Sequence, residues 1–129
     1  MNLILYVAAG GAIGASARFL INQAFAARGL TEFPWHTLTI NVAGSLLMGI
    51  FFVLLSERLH GSPEWRSFFA TGILGGFTTF SAFSLEVVGL MTDVNGSGMR
   101  PLAYIAASVG LSVAAVFAGI WLARTGLSA

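Results

Sequence analysis

The stretch GGFTTFSAFS, residues 75–84, decides the reading of this chain. It lies inside an otherwise apolar run, about 65–91, long enough to cross a membrane. Adjacent glycines weaken a helix, and the hydroxyl side chains crowded behind them make poor contact with lipid. Phe77, Phe80 and Phe83 recur every three residues through the same segment. A span interrupted here, by phenylalanine and hydroxyls together, marks a place where the chain does more than span.

Composition supports the membrane reading. The chain has 129 residues, 57% hydrophobic and 9% charged, whereas a soluble domain is about a quarter charged. Mean hydropathy is +0.87. The length fits a single four-span transmembrane domain over residues 1–129. The apolar N-terminal stretch has no basic leader and runs on past its small-residue triplets, so it reads as a retained first span rather than a signal peptide. There is no cysteine, which excludes disulfides, thiolate chemistry and cysteine metal sites. A net charge of +1 leaves no footprint for nucleic acid.

Four runs reach spanning length, at about 3–26, 35–55, 65–91 and 102–123. The links ARGLTEFP (27–34), SERLHGSP (56–63) and TDVNGSGMRP (92–101) separate them. Because lipid offers backbone amides no partner, all four spans are expected to be α-helices, the third broken near Gly75–Thr79. Tyr6, Trp35, Trp65, Tyr104 and Trp121 fall near span ends, where aromatic residues anchor. Gly10 and Gly14 in the first span, and Gly110, Ala114 and Ala118 in the fourth, have the small-residue spacing that lets helices approach closely.

The charges carry topological information. All six basic residues are arginine. With four spans both termini share a side, together with Arg58, Arg66 and Arg124; the other side holds Arg28 and Arg100, with Arg18 inside the first span and nearer that side. Orientation is set by a bias in such residues, and here there is almost none. Either one arginine fixes the orientation, or the chain inserts both ways and pairs as an antiparallel homodimer. The second arrangement is a two-chain version of the inverted repeats of transporters, and it would let so small a chain enclose a polar pathway.

Polar residues inside spans form stripes at helical spacing. These are Thr37, Asn41 and Ser45 in the second span, Thr78, Ser81 and Ser84 in the third, and Tyr104, Ser108 and Ser112 in the fourth. His36 sits at an interface and His60 in a loop, so the stripes hold no base, and no serine has a His–Asp pair near it. No glycine-rich nucleotide loop is present. The chain is therefore not expected to be an enzyme. Neutral hydroxyl and amide donors suit an ion that must shed water without being held tightly, which is what conduction requires. Asn41 is either glue between helices or a ligand contact. Arg18 either snorkels to the interface or lends positive potential to a wet vestibule. Glu86, one turn beyond the phenylalanines, borders a water-filled mouth, pairs with arginine or carries a proton. A break at Gly75-Gly76 exposes carbonyls able to coordinate a cation. Phe80 and Phe83 either pack or turn their electropositive ring edges to an anion.

GGAIGASARF (10–19), TLTINVAGSLLMG (37–49) and above all GILGGFTTFSAFSLE (72–86) resemble the small dual-topology fluoride channels of bacteria, the CrcB/Fluc family. The similarity covers essentially the whole chain and departs at Ala82, where that family commonly has a hydroxyl residue. The resemblance implies a fluoride channel in the bacterial inner membrane that exports F⁻ passively through two pores of an antiparallel homodimer. It implies that Phe80 and Phe83 line the pathway with ring edges, and that Asn41 donates its amide to the ion or orients the rings. Thr37, Ser81, Tyr104, Ser108 and Ser112 would form a polar track, with Ser84 joining them by spacing alone. Arg18 would face a vestibule and Glu86 the pathway's end. The carbonyls of Gly75 and Thr78 would hold a structural Na⁺ shared by both subunits. The rival is a four-span proton-coupled multidrug exporter, which needs a carboxylate within its first span; this chain has Arg18 there and no acid.

Overall fold

The structure, a computed structural model, describes residues 2–58, 60–93 and 98–126; of the link at 92–101, residues 94–97 lie outside this set. Every regular element among the described residues is helical, and four helical stretches are long and apolar enough to cross a membrane. Helix α1, Leu3–Ala27, starts where the Asn2 side chain accepts a hydrogen bond from the Ile4 amide at 3.2 Å. It stops at Gly29, whose φ of +70° is the left-handed turn glycine allows. Helix α2, Trp35–Val53, follows Pro34 and runs on as a π-helical turn over Leu54–Arg58. Ser62 caps the next stretch and Pro63 takes its first position, where a missing amide hydrogen does no harm. That stretch, α3, passes without interruption through Pro63–Arg66, a π-helical segment Ser67–Leu74, and Gly75–Phe77. Helix α4 is Ser81–Thr92 and α5 is Met99–Gly126, with Pro101 in its first turn.

The break in the third span lies at Thr78–Phe80, later than the adjacent glycines suggested. Gly75 and Gly76 remain helical. Their use is packing as much as flexibility: a Cβ on Gly76 would stand 2.7 Å from the Gly11 carbonyl oxygen. Thr78 is the residue that leaves the helix, with φ −79° and ψ 158°.

Two helix pairs carry the fold, α1 with α3 and α2 with α5. Lipid is as apolar as leucine, so close backbone approach rather than hydrophobicity holds such pairs together. On α1, a Cβ at Gly14 would lie 2.0 Å from the Ile73 oxygen, and Gly10 meets Phe68 and Gly72 in the same way. Between α2 and α5, Gly49 faces Val116 and Gly119 faces Leu46, each with room for a hydrogen only. The small face of α5 that packs is thus Ala115, Gly119 and Ala123, all buried. The expected Gly110, Ala114 and Ala118 face is one residue off: those positions are exposed, and nothing lies within 4 Å of a Cβ built on Gly110. At the end of the bundle where α2 and α5 finish, Arg124 pairs with Glu57 and Arg58 donates to the Arg124 carbonyl. Arg58 and Arg124 therefore share one end, as four crossings require.

Candidate functional site

The break is held open by Asn41. Its Nδ2 donates to the Thr79 carbonyl at 3.0 Å, and its Oδ1 accepts from the Thr79 amide at 2.9 Å. One side-chain amide thereby replaces both helical partners of one residue's backbone, the Thr79 N–H and C=O. In a continuous helix the Thr79 amide would bond the Gly75 carbonyl and the Ala82 amide the Thr78 carbonyl. The first is taken by Asn41, and the second by the Thr79 hydroxyl at 3.2 Å, which caps α4. Of the two readings open for Asn41, glue and ligand contact, its contacts are those of glue.

Beside the break lies a cleft of about 470 Å³. Of the residues picked out from sequence, Asn41, Gly75, Thr78, Phe80, Phe83, Ser108 and Ser112 line it, together with Gly44 and Ser45. Gly44 makes the approach possible, since a Cβ there would come within 2.3 Å of Thr78 Cγ2. The Oγ atoms of Ser108 and Ser112 are buried; among the described residues that of Ser112 has no hydrogen-bond partner, and that of Ser108 interacts only with the Tyr104 hydroxyl, without close hydrogen-bond geometry. Buried hydroxyls are normally bonded; neither of these bonds back to its own helix, and both serines line the cleft. Phe83 is 8% exposed and Phe80 77% exposed, with ring centroids 5.4 Å apart at 45°.

A second cluster stands around Glu86. Thr37 Oγ1 donates to Glu86 Oε1 at 2.7 Å, and Tyr104 OH donates to Oε2 at 2.6 Å. His36 Nε2 lies 3.0 Å from Oε1. Thr37 and Tyr104 are buried. The Phe83 ring touches Tyr104, with centroids 5.2 Å apart, so Phe80, Phe83, Tyr104 and Glu86 form one unbroken line from the cleft.

The remaining expected residues are less engaged. Ser81 is exposed, its Oγ 3.4 Å from the Thr79 hydroxyl. Thr78 and Ser84 bond back to the Leu74 and Phe80 carbonyls of the preceding turns, both at 2.9 Å. Arg18 is half-buried on α1, one turn beyond Gly14, and belongs to neither cluster. Sequence reasoning missed Thr79, because the three-residue stripe of Thr78, Ser81 and Ser84 steps over it. It also missed the contact of His36 with Glu86, which joins residues 50 apart in the chain. The available signal was the position of His36 beside Thr37 at the head of the α2 stripe.

Comparison with known proteins fixes the family. A family model described as CrcB-like protein, Camphor Resistance (CrcB), matches residues 5–120. The chain belongs to the CrcB family. It is 50% identical over 124 residues to a protein of Rhizobium meliloti named fluoride-specific ion channel FluC, across 96% of this chain and 98% of that one. A Chelativorans relative of the same name is 50% identical over 126 residues, covering 97% of this chain and 98% of its own. One from Rhodospirillum centenum is 45% identical over 128 residues, covering 99% and 100%. With its four helices able to cross a membrane, this CrcB-family chain is a multi-pass membrane protein.

Proposed function

We propose that the chain is a fluoride-selective channel of the bacterial inner membrane, not an enzyme, and that it releases F⁻ passively from cells into which HF has leaked and dissociated. The observation that carries the reading is the pair of buried serine hydroxyls, Ser108 and Ser112, neither bonded back to its own helix, beside Phe80 and Phe83 at one cleft. Relatives at about half identity bear the name fluoride-specific ion channel. Fluoride holds its water strongly. Hydroxyl donors and electropositive ring edges replace that water in stages without binding the ion so tightly that it cannot leave. Asn41 orients the rings by holding the break, while Thr37, Tyr104 and Glu86 mark the far end of the path. Ser81 lies on the polar track, and Arg18 lends positive potential near a vestibule.

The working unit is an antiparallel homodimer with two pathways. Two features support it: the nearly even arginine distribution, and a Phe80 ring left 77% exposed beside the cleft, which a second chain would cover. A Na⁺ ion shared by the two chains rests on the Gly75 and Thr78 carbonyls. The donor set fits a hard cation, because Asn41 and Thr79 have taken the amides that would otherwise satisfy those oxygens. The ion's part is to pin the subunits together. The exporter alternative gains nothing from the structure, since the one intramembrane carboxylate, Glu86, is already bonded by Thr37 and Tyr104.

Purified protein in liposomes is expected to release F⁻ electrogenically and to leave Cl⁻ almost untouched; equal Cl⁻ flux, or no F⁻ flux, refutes the channel. Cross-linking is expected to trap dimers with opposed termini, and parallel pairs alone refute the antiparallel unit. Dimers stripped of Na⁺ into an organic-cation buffer are expected to lose current, and an unchanged current removes the shared ion.

A further inference from the structure

We propose that His36 is a positioning residue for Glu86, and that protonation of its imidazole raises fluoride conduction. The proposal rests on the channel reading and adds regulation to it. Thr37 and Tyr104 give Glu86 permanent neutral donors at 2.7 and 2.6 Å. Of the three contacts, His36, at 3.0 Å from Oε1, is the one that can take up a positive charge. Its side chain is 25% exposed and that of Glu86 22%, so the pair is not sealed inside the subunit.

The groups facing the imidazole leave the effect to this pair. Helix α4 contributes Glu86, and α5 contributes Tyr104 across the same carboxylate. Helix α1 presents the Phe25 ring, centroid 6.4 Å away at 57°. At the end of α1, Arg28 has turned its guanidinium onto the Ala24 carbonyl at 3.0 Å, and Glu32 in the following link is exposed. With His36 neutral, an anion leaving the Phe83–Tyr104 line meets an uncompensated carboxylate. With His36 protonated it meets an ion pair of zero net charge. Removing one unit of repulsion at a partly hydrated mouth changes flux by about fivefold. The direction suits the task, because HF enters fastest when the surroundings are acid.

The test is F⁻ current across a planar bilayer at fixed voltage, with both sides stepped from pH 8 to 5.5; HF carries no charge and adds nothing. Wild-type current is expected to rise about fivefold along a single titration. H36Q is expected to flatten the profile, and H36K to hold the acid-side level throughout. A flat wild-type profile, a fall with acid, or a rise that survives in H36Q overturns the proposal. If H36Q carries no current, H36K decides: a pH-independent current supports the proposal and a titrating one overturns it. Loss of current in both variants with dimers intact makes His36 indispensable rather than modulatory, and also overturns it. Absence of wild-type F⁻ current at every pH defeats the channel reading itself, whereas current with a flat profile defeats this proposal alone.

Discussion

N41A is the sharpest test of how the third span is kept broken. Asn41 makes two hydrogen bonds to the backbone of one residue, the Thr79 C=O and N–H, at 3.0 and 2.9 Å. Interhelical hydrogen bonds in membrane proteins contribute about 0.6 kcal/mol on average and at most about 1.7. A peptide left with neither partner adds a desolvation penalty of about 1 kcal/mol or more. N41A should therefore unfold about 2 kcal/mol more easily than wild type in a detergent denaturation series. The stranded Thr79 amide also has a nearby alternative, the Gly75 carbonyl one turn back. If Thr78 follows it from extended to helical backbone, its rise falls from about 3.3 to 1.5 Å. Phe80 is then drawn about 2 Å along the axis and re-aimed, a displacement large enough to lower flux tenfold or more. An N41A protein with the wild-type unfolding midpoint and wild-type fluoride efflux would refute the clamp.

The other predictions separate packing from conduction. S112A removes a hydroxyl that has no partner among the described residues, and S108A one whose neighbour is the Tyr104 hydroxyl, so stability should hold within about 0.5 kcal/mol for S112A and about 1 kcal/mol for S108A while fluoride efflux falls; a loss above about 1 kcal/mol for S112A in denaturation would mean that its hydroxyl bonds within the fold. F80I should leave the stability of the isolated subunit nearly unchanged, because the ring is 77% exposed, and still cut efflux. F83I, at a position 8% exposed, should cut efflux and also lower stability by about 1 kcal/mol; wild-type efflux in both variants returns the rings to simple packing. G14A and G49A place a Cβ 2.0 and 2.2 Å from backbone oxygens, so the helix pairs must part and stability should drop by several kcal/mol, about 2–4. G89A meets nothing within 4 Å, and should gain up to about 1 kcal/mol from helix propensity; a neutral G14A would undo the packing account of α1 and α3.

Much of the fold was legible because lipid makes backbone rules strict. Length and apolarity alone predict four helices, and Pro63, Gly29 and Asn2 mark their ends by chemistry confined to neighbouring residues. The third span is less legible. Two glycines look like the breaking point, but glycine in a membrane helix also serves close packing, and Gly76 against Gly11 does that. What breaks the helix is a residue 38 positions away, Asn41, competing for the Thr79 peptide. The same limit explains the α5 stripe. Spacing identifies a small face, but which of two adjacent small faces meets α2 depends on rotation of the helix, fixed here by Gly49 opposite Val116. In the site, the α2 stripe of Thr37, Asn41 and Ser45 was visible as a stripe, yet its members divide among a carboxylate, a peptide and a cleft. Periodicity gives the face and is silent about the partner.

That division of labour bears on why the groups of the proposed pathway are neutral. The α2 stripe uses its strongest polar group, Asn41, on the backbone, and Glu86 is occupied by Thr37 and Tyr104. Three serines, Ser45, Ser108 and Ser112, and two phenylalanines, Phe80 and Phe83, are left among the residues lining the cleft. A lysine or arginine there would bind an anion well and release it slowly, because a unit charge in a low-dielectric cleft outweighs anything the far side offers. In the proposed channel, hydroxyls and ring edges are weaker singly and act on the ion only at short range, so occupancy would pass along the line from Phe80 to Tyr104 without a deep well. The cost of such weak donors is that their geometry must be held by something else. The Asn41 clamp on the broken helix is placed to do that, and damage to it should reach conduction sooner than the loss of any single hydroxyl.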